Sequence, residues 1–234
     1  MRTICIALLL SLTVQAREPN HNPPTDIPKP DLKPDPKLVQ LSRNADELTM
    51  SKRPAPIDVY ATFRGKPYTG WVHIKEGKVV TGLTHWKNGV LDGKSYTWWV
   101  TGKLQSIEYH KRGKEDDRFL MWFPDGTLHQ DATFNNGNAI TTRQWHGDGK
   151  LSVDLVADEN GKDHGEQFFF HKTGKLFVKM IREHGKSVGD WKFYNDKGQH
   201  RVTQHWKNGK LFKTTDEKGK TISHKEGKKR LEVK

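Results

Sequence analysis

The sequence predicts an all-β protein, an elongated antiparallel meander of about six to seven hairpin repeats of 24 residues. The first observation is a glycine lattice with this spacing, at Gly65, Gly89, Gly113, Gly137, Gly161, Gly185 and Gly209. The second is the motif His-Trp-Lys-Asn-Gly, which occurs at residues 85–89 and again at 205–209. The third is a second glycine turn inside the period, between two stretches rich in aromatic and β-branched residues. Two strands and two turns leave no room for a helix in each repeat.

The first element, residues 1–16, has the features of a secretory signal peptide. Arg2 supplies positive charge, and Ile4 to Leu12 form an apolar core that is too short to span a bilayer. We expect cleavage after Ala16 and a periplasmic or secreted mature chain without Cys5, the only cysteine. The alternative is a buried N-terminal helix or strand, which the polar sequence that follows disfavours.

The second element, residues 17–57, holds nine of the eleven prolines. Such a segment has too little apolar surface to offset the entropy of ordering it. We therefore predict a semi-extended linker. A short helix within residues 37–52, docked on the repeats, is the alternative that the leucines of this stretch leave open.

The repeat array is predicted over residues 58–215, and the unit that ends at Gly185 shows its parts. Residues 165–171 form a strand rich in aromatic side chains, and residues 172–175 form a tight turn in which Gly174 suits a positive φ. Residues 176–182 form the second strand. Residues 216–234 are a decayed repeat or basic tail, whose lysines would discourage pairing at the sheet edge.

Columns of similar residues recur at equivalent positions and predict ladders in the core. The first strand carries a large side chain at Ile74, Trp98, Trp122, His146, Phe170 and Tyr194. His146 is the exception, but Trp145 precedes it, which indicates a one-residue deletion that a later insertion compensates. A leucine column follows the inner turn, at Leu104, Leu128, Leu151 and Leu176, and a third column comprises Trp86, Phe134 and Trp206.

The formal net charge is +12, and twelve of the 21 glycines are followed directly by lysine. Lysines at turns predict basic rows along both long edges of the array. The candidate edge residues are Lys103, Lys114, Lys175, Lys186 and Lys210. Basic rows beside tryptophans would suit nucleic acid, but export and the regular turn spacing make that partner unlikely.

The sequence offers no catalytic motif, and we predict no enzyme and no cofactor. Gly185-Lys186-Ser187 resembles the end of a phosphate-binding loop, but Met180 stands where that motif needs glycine. The twelve histidines do not show ligand spacing with one another or with acids, so no metal site is predicted.

The repeat resembles the MORN repeat (membrane occupation and recognition nexus). The residues that carry the resemblance include Phe169-Phe170, Gly174-Lys175-Leu176 and Gly185-Lys186, with Trp98-Trp99 and Gly102-Lys103-Leu104 in an earlier unit. More specifically it is similar to the variant MORN repeat of the bacterial antitoxin family labelled YwqK-like, over about residues 60–213. This resemblance implies protein binding, including neutralisation of a toxin, and an affinity for acidic lipids.

The sequence therefore leads to the hypothesis of an exported, non-catalytic protein that binds a protein partner, as an antitoxin or immunity protein against an effector in the periplasm. Tryptophans dominate binding hot spots. The candidate partner-binding residues are Trp99, Trp122, Trp145, Trp191 and Trp206. The alternative is an envelope-binding module that recognises acidic lipids or cell-wall glycans and phosphates.

Overall fold

The computed structural model describes residues 17–52 and 59–232. The predicted signal peptide lies outside the described residues, as do residues 53–58 and 233–234. The described elements, in chain order, are α1 (Pro36–Leu41), β1 (Arg43–Asn44), a 3-10 turn (Ala45–Glu47), β2 (Thr49–Lys52), β3 (Val59–Phe63), β4 (Lys66–Pro67), β5 (Gly70–Glu76), β6 (Val79–Lys87), β7 (Val90–Trp98), β8 (Leu104–Lys111), β9 (Lys114–Glu115), β10 (Asp117–Trp122), β11 (Leu128–Asn135), β12 (Asn138–Trp145), β13 (Leu151–Val156), β14 (Gly165–Phe170), β15 (Leu176–Glu183), β16 (Lys186–Tyr194), β17 (His200–Lys207), β18 (Lys210–Asp216) and α2 (His224–Leu231).

The fold is all-β, as the sequence predicted, with 56% strand and 8% helix. One long open sheet contains β5 to β18 in chain order, with β1 added next to β5 and the short β9 paired with β8. Its neighbours are antiparallel except for the parallel pair β1 and β5. Strands β2, β3 and β4 form a second, small antiparallel sheet.

The lattice glycines lie in the outer turns, and the turn after β11 shows why the chain needs glycine there. Asn136 and Gly137 both have positive φ, 51° and 88°, which is the two-residue hairpin geometry that matches strand twist. The Gly137 N–H donates to the carbonyl of Glu115 at 2.7 Å, and the Asn136 N–H donates to Asp116 Oδ1 at 3.1 Å. The N–H groups of Gly113, Gly185 and Gly209 likewise donate to carbonyls near the preceding outer turn, whereas the Gly161 N–H donates within its own turn.

The inner turns have a different geometry, which repeats along the sheet. At the turn after β10, the Phe123 N–H donates to the Thr127 carbonyl at 2.9 Å, and the Gly126 N–H returns to the Phe123 carbonyl at 2.9 Å. The same two bonds recur at the turns that begin with Trp99, His146, His171 and Asn195. A register shift beside each of these turns brings the last strand residue opposite the next leucine-column position, as in the pair Trp122 and Leu128.

The predicted deletion is confirmed by the register of β12. Trp145 pairs with Leu151, just as Trp122 pairs with Leu128, so Trp145 is the ladder residue and His146 begins the turn. Equivalent strands have a positive φ near their start, at Asp117 in β10 and at the first residue of β14, whereas no residue of β12 does. The compensating insertion is the wider turn at residues 158–162.

Buried apolar side chains form two clusters, one of Leu48, Ala61, Val72 and Trp86, and a larger one made of the predicted columns and their neighbours on one face of the long sheet. The members of the larger cluster are Leu83, Trp98, Leu104, Leu120, Trp122, Leu128, Trp145, Leu151, Phe168 and Phe170. Ile27 and Leu38, from the N-terminal segment, pack against it. Ile74 was predicted to join the aromatic column, but it is 45% exposed, because the first inner turn is shorter and shifts the register there.

Residues 17–41 of the predicted linker, which we call the strap, lie across the core face, and the short docked helix that the sequence left open is present as α1 (Pro36–Leu41). The strap runs against chain order, from β14 at Arg17 to β5, where α1 makes contact. Its carbonyls accept hydrogen bonds from the sheet: Pro30 from the Leu104 N–H at 2.9 Å and Leu32 from Trp98 Nε1 at 2.8 Å. Prolines carry no N–H that would need a partner, so an extended proline-rich segment can pack on a sheet through its carbonyls alone.

Both ends of the long sheet are capped. At one end β1 pairs with β5. At the other, the chain turns after β18 and bonds back through the Ile222 N–H to the Thr214 carbonyl at 3.0 Å, and α2 packs over β17 and β18. Exposed Lys210 and Lys213 lie on the remaining edge of β18. Caps and lysines protect a sheet edge from pairing with another chain.

Candidate interaction surface

The predicted partner-binding tryptophans fall into three groups. The first group, Trp122 and Trp145, lies in the core. Trp122 and Trp145 are each 1% exposed. The rings of both indoles are therefore packed inside the protein and offer a partner no flat contact surface. The expectation that these two belong to an exposed surface is therefore corrected, because the strap and neighbouring columns cover the ladder.

Trp191 and Trp206 contact each other near the far end of the sheet, with ring centroids 4.7 Å apart and the ring planes tilted by 34°. The Arg182 guanidinium lies 4.9 Å from the Trp191 ring centroid, a cation–π arrangement. Trp191 is buried and donates through Nε1 to the Ile181 carbonyl at 3.1 Å, whereas Trp206 is half-buried. Only the Trp206 side of this cluster faces solvent.

Trp99 is half-buried and begins an inner turn. Its Nε1 donates to the Trp122 carbonyl of the next hairpin at 3.3 Å. We call the line of inner turns, residues 99–103, 123–127, 146–150, 171–175 and 195–199, the inner-turn edge. Its first positions are aromatic rings over four turns, namely Trp99, Phe123, His146 and His171.

A cleft of about 430 Å³ opens at this edge between the second and fourth of these turns. Phe123 and His129 line it edge to face, with centroids 4.3 Å apart, together with Trp145, His146 and Lys172. We call it the inner-turn cleft. Trp145 contributes to the lining of this cleft.

Three ring nitrogens around the inner-turn cleft are buried and lack a hydrogen-bond partner among the described residues. They are Trp145 Nε1, His129 Nδ1 and His146 Nε2. An indole nitrogen can only donate, and a histidine ring nitrogen can donate or accept. Buried polar groups are nearly always paired, with protein or with ordered water, so these three nitrogens are the groups at the cleft that an external partner could satisfy.

The charge beside the cleft is mainly positive. Lys172 is exposed and lines the cleft. Lys150 lies in the same turn as Asp148, and their side chains pair at 2.7 Å. The hydrogen bond from Lys150 lowers the pKa of Asp148, so this carboxylate stays ionised with a partner of its own. Lys172 is thus available for a carboxylate from another molecule.

The lysine rows follow the predicted edges. Lys103 and Lys175 lie in inner turns, and Lys114, Lys186 and Lys210 follow outer turns. The aliphatic stems of Lys114 and Lys175 pack toward the next turn along their edge. A Cβ placed on Gly137 would meet Lys114 Cδ at 3.7 Å, and one placed on Gly198 would meet Lys175 Cδ at 3.7 Å. The Gly-Lys pair therefore lets an aliphatic stem cover the neighbouring glycine while the charge stays in water.

A second cleft, of about 510 Å³, lies on the outer-turn edge. It is lined by Lys114, Glu115 and His110 among others. Burial, with a smaller contribution from Glu108, raises the pKa of Glu115, and burial lowers the pKa of His110. Each cleft therefore has a carboxylate in its lining, Glu115 here and Asp148 at the inner-turn cleft, where Lys150 pairs with Asp148.

Across residues 17–52 and 59–232, no group of three or more His, Cys, Asp or Glu side chains could hold a metal ion. In that same part of the chain, neither helix has the length and apolar character needed to cross a bilayer.

Sequence reasoning missed Phe123, His129 and Lys172, and treated His146 only as an exception in a column. The signal that could have found Phe123 and His146 is the residue after each ladder position, which is aromatic or histidine in four successive turns. His129 follows a leucine-column residue, and its place at the cleft depends on the register shift of β11.

Comparison with protein families identifies a match in the C-terminal part of the chain. The MORN repeat variant matches residues 163–182 and 187–213, which span β14 to β18. No curated protein matches the chain. Repeats of this kind are generally non-enzymatic and act in binding. The chain therefore carries variant MORN repeats, the units of a repeat protein with a binding role.

Proposed function

We propose that this protein binds an acidic segment of a protein partner at its inner-turn edge, with a carboxylate of the partner in the inner-turn cleft. The observation that carries the proposal is the set of three buried, unpaired ring nitrogens beside exposed Lys172. A carboxylate offers acceptor oxygens to such donors and a charge to the lysine. The aromatic first positions of the adjacent turns supply flat contact area around it.

We further propose the role of an exported antitoxin or immunity protein. The partner would be a toxic effector in the periplasm, which the array would block by covering its surface. The variant MORN match and the rigid line of inner turns support a binding protein, and the predicted signal peptide supports export. An inhibitor of this kind needs a surface and no catalytic group.

The test uses the product of the adjacent gene as the candidate effector, with both proteins directed to the periplasm and cell survival as the readout. The wild-type chain is expected to rescue growth and to form a complex with the purified effector. The double variant Lys172→Glu/Lys175→Glu is expected to weaken the complex about tenfold or more, because two attractive charges become repulsive. The matched control Lys186→Glu/Lys210→Glu reverses two exposed charges on the outer-turn edge and should leave the complex nearly unchanged.

Equal weakening by both pairs of substitutions would contradict the inner-turn edge as the binding surface. Absence of rescue and of a complex would contradict the antitoxin role.

The second candidate function is an envelope-binding module, which the exposed outer-turn lysines favour. Each lysine near an anionic membrane contributes about 1 kcal/mol. Salt-sensitive retention on vesicles of anionic phospholipid, lost in the outer-turn variant, would support that function instead.

A further inference from the structure

The far end of the strap is held by one residue, Arg17, between two buried carboxylates. The Arg17 guanidinium donates to Asp154 Oδ1 at 2.8 Å, and it also bonds the carbonyl of Glu166 at 3.1 Å. Its carbon lies 5.2 Å from the centroid of the Phe168 ring. Asp154 is 2% exposed and Glu166 6% exposed. We call this arrangement the Arg17 pocket.

The backbone nitrogen of Arg17 takes part as well, since it donates to Glu166 Oε2 at 2.8 Å. The other oxygen of this carboxylate, Oε1, lies 2.6 Å from Lys179 Nζ. The two residues are 149 apart in sequence, so this contact is a tertiary one. The contact therefore needs a reason beyond local chain geometry.

A spare acceptor in the same pocket points to that reason. Asp154 Oδ2 is buried and has no hydrogen-bond partner within the described ranges. A peptide nitrogen brings one hydrogen and no charge, whereas a chain-terminal ammonium brings three hydrogens and a positive charge. An amide that donates to a carboxylate makes one charge-assisted hydrogen bond, whereas an ammonium adds a full positive charge and further hydrogens for a spare acceptor. Glu166 Oε2 and Asp154 Oδ2 are thus better matched to an ammonium than to an amide.

Arg17 is also the residue that follows the predicted cleavage site. We propose that the Arg17 pocket binds the free α-ammonium group that cleavage after Ala16 creates, so that removal of the signal peptide locks the strap onto the sheet. Cleavage is hydrolysis: water adds across the Ala16–Arg17 amide, Ala16 gains a carboxylate and Arg17 an ammonium. The co-reactant is water, and the catalyst is a signal peptidase of the export machinery.

The Arg17 pocket binds the N-terminal end of the strap, which would otherwise be free to fray. The strap covers the ladder from Trp98 to Phe170, where the His21 ring lies 5.0 Å from the Phe170 ring. Chain ends fray unless they are tied down. An anchor at residue 17 therefore holds the free end of the segment that closes the core. The proposal depends on the predicted cleavage and not on the proposed partner.

The first experiment determines the N-terminus. The full chain, residues 1–234, is expressed with an active export pathway, and the mature product is analysed by mass spectrometry. Arg17 is the expected first residue. A mature product that begins at another residue, or an uncleaved chain, would overturn the proposal without bearing on the inner-turn edge.

The second experiment compares the mature chain with a chain that keeps Ala16, both produced from a cleavable fusion that leaves no other residue. In the longer chain the Arg17 nitrogen is an amide, but every side chain is the same. The mature chain is expected to melt about 2–4 °C higher. The gain should be present at pH 6 and largely lost at pH 10, since a terminal ammonium has a pKa of about 7.7–8.0 in an unfolded chain and loses its charge when alkaline.

The variant Glu166→Gln tests whether Glu166 binds the α-ammonium group or only supports the surrounding structure. In this variant the melting difference between the two chain lengths should disappear, and the α-amino group should react about tenfold faster with an acylating reagent at pH 7. Glu183→Gln, an exposed residue on the next strand, is the matched control and should change neither measurement. Equal melting of the two lengths in the wild type, or a difference that persists in Glu166→Gln, would overturn the proposal.

Discussion

The aromatic ladder is covered between β7 and β14 and open beyond β15. In the covered region Trp98, Trp122, Trp145 and Phe170 are at most 8% exposed. In the open region Tyr194, at the equivalent position of β16, is only half-buried. The hydrogen-bond pattern of the inner turns is the same in both regions. The repeat therefore builds the sheet, and the strap decides which part of the ladder becomes a core.

The largest expected effect comes from removing one aromatic ring of the ladder in the covered region and one in the open region. Trp122→Ala is expected to lower the free energy of unfolding by about 3–5 kcal/mol, because a fully buried indole leaves a cavity. Tyr194→Ala removes a ring in the same column without the strap above it and should cost less than about 2 kcal/mol. Urea denaturation at pH 7 measures both. Equal losses would show that the strap does not set the burial of the ladder.

A second test asks whether the difference between the regions extends to the turns. Gly137 and Gly209 have φ of 88° and 80° in outer turns of the covered and the open region. Gly137→Ala and Gly209→Ala should each cost about 1–2 kcal/mol, since the left-handed conformation strains any residue with a Cβ. Gly147, where a Cβ would meet nothing within 4 Å and φ is not positive, is the control.

Thermal or urea unfolding should show nearly equal losses for Gly137→Ala and Gly209→Ala, and a change within about 0.5 kcal/mol for Gly147→Ala. A much larger loss in the covered region would mean that the strap also supports the turns.

The smallest expected effect concerns the middle of the strap. Asp26 pairs with Arg118 at 2.9 Å, and the hydrogen bond from Arg118 lowers the pKa of Asp26 below its ordinary value of 3.8. A carboxyl group whose pKa is lower in the folded state than in the unfolded state stabilises the fold at pH values above its unfolded-state pKa. This stabilisation is lost as the pH falls through its folded-state pKa. Strap docking should therefore weaken below about pH 4.

Hydrogen exchange of the strap amides, corrected for the intrinsic pH dependence, measures this weakening. Asp26→Asn should show faster exchange at pH 6 and a flatter response between pH 5 and pH 3 than the wild type. An unchanged exchange rate in Asp26→Asn would exclude this ion pair as a contact that holds the strap.

Much of the fold could be predicted because a hairpin array depends on short-range features. The spacing of glycines such as Gly137 and Gly185 indicated the turns, and Trp145 next to His146 indicated the deletion that the register of β12 confirms. The candidate site was harder to predict. Trp122 and Trp145 have the residue type of a binding hot spot, but residue type does not say whether another segment covers the ring.

The sequence by itself determined the period, the two turns of each repeat, the lysine-bearing edges and the variant MORN character. These follow from φ preferences and side-chain alternation, which act within a few residues. Only the tertiary structure decided that residues 17–41 cover the core, that three unpaired nitrogens meet at the inner-turn cleft and that Arg17 reaches Glu166. The physical reason is that these contacts join residues far apart in the chain, where complementarity of shape and charge leaves no periodic signal.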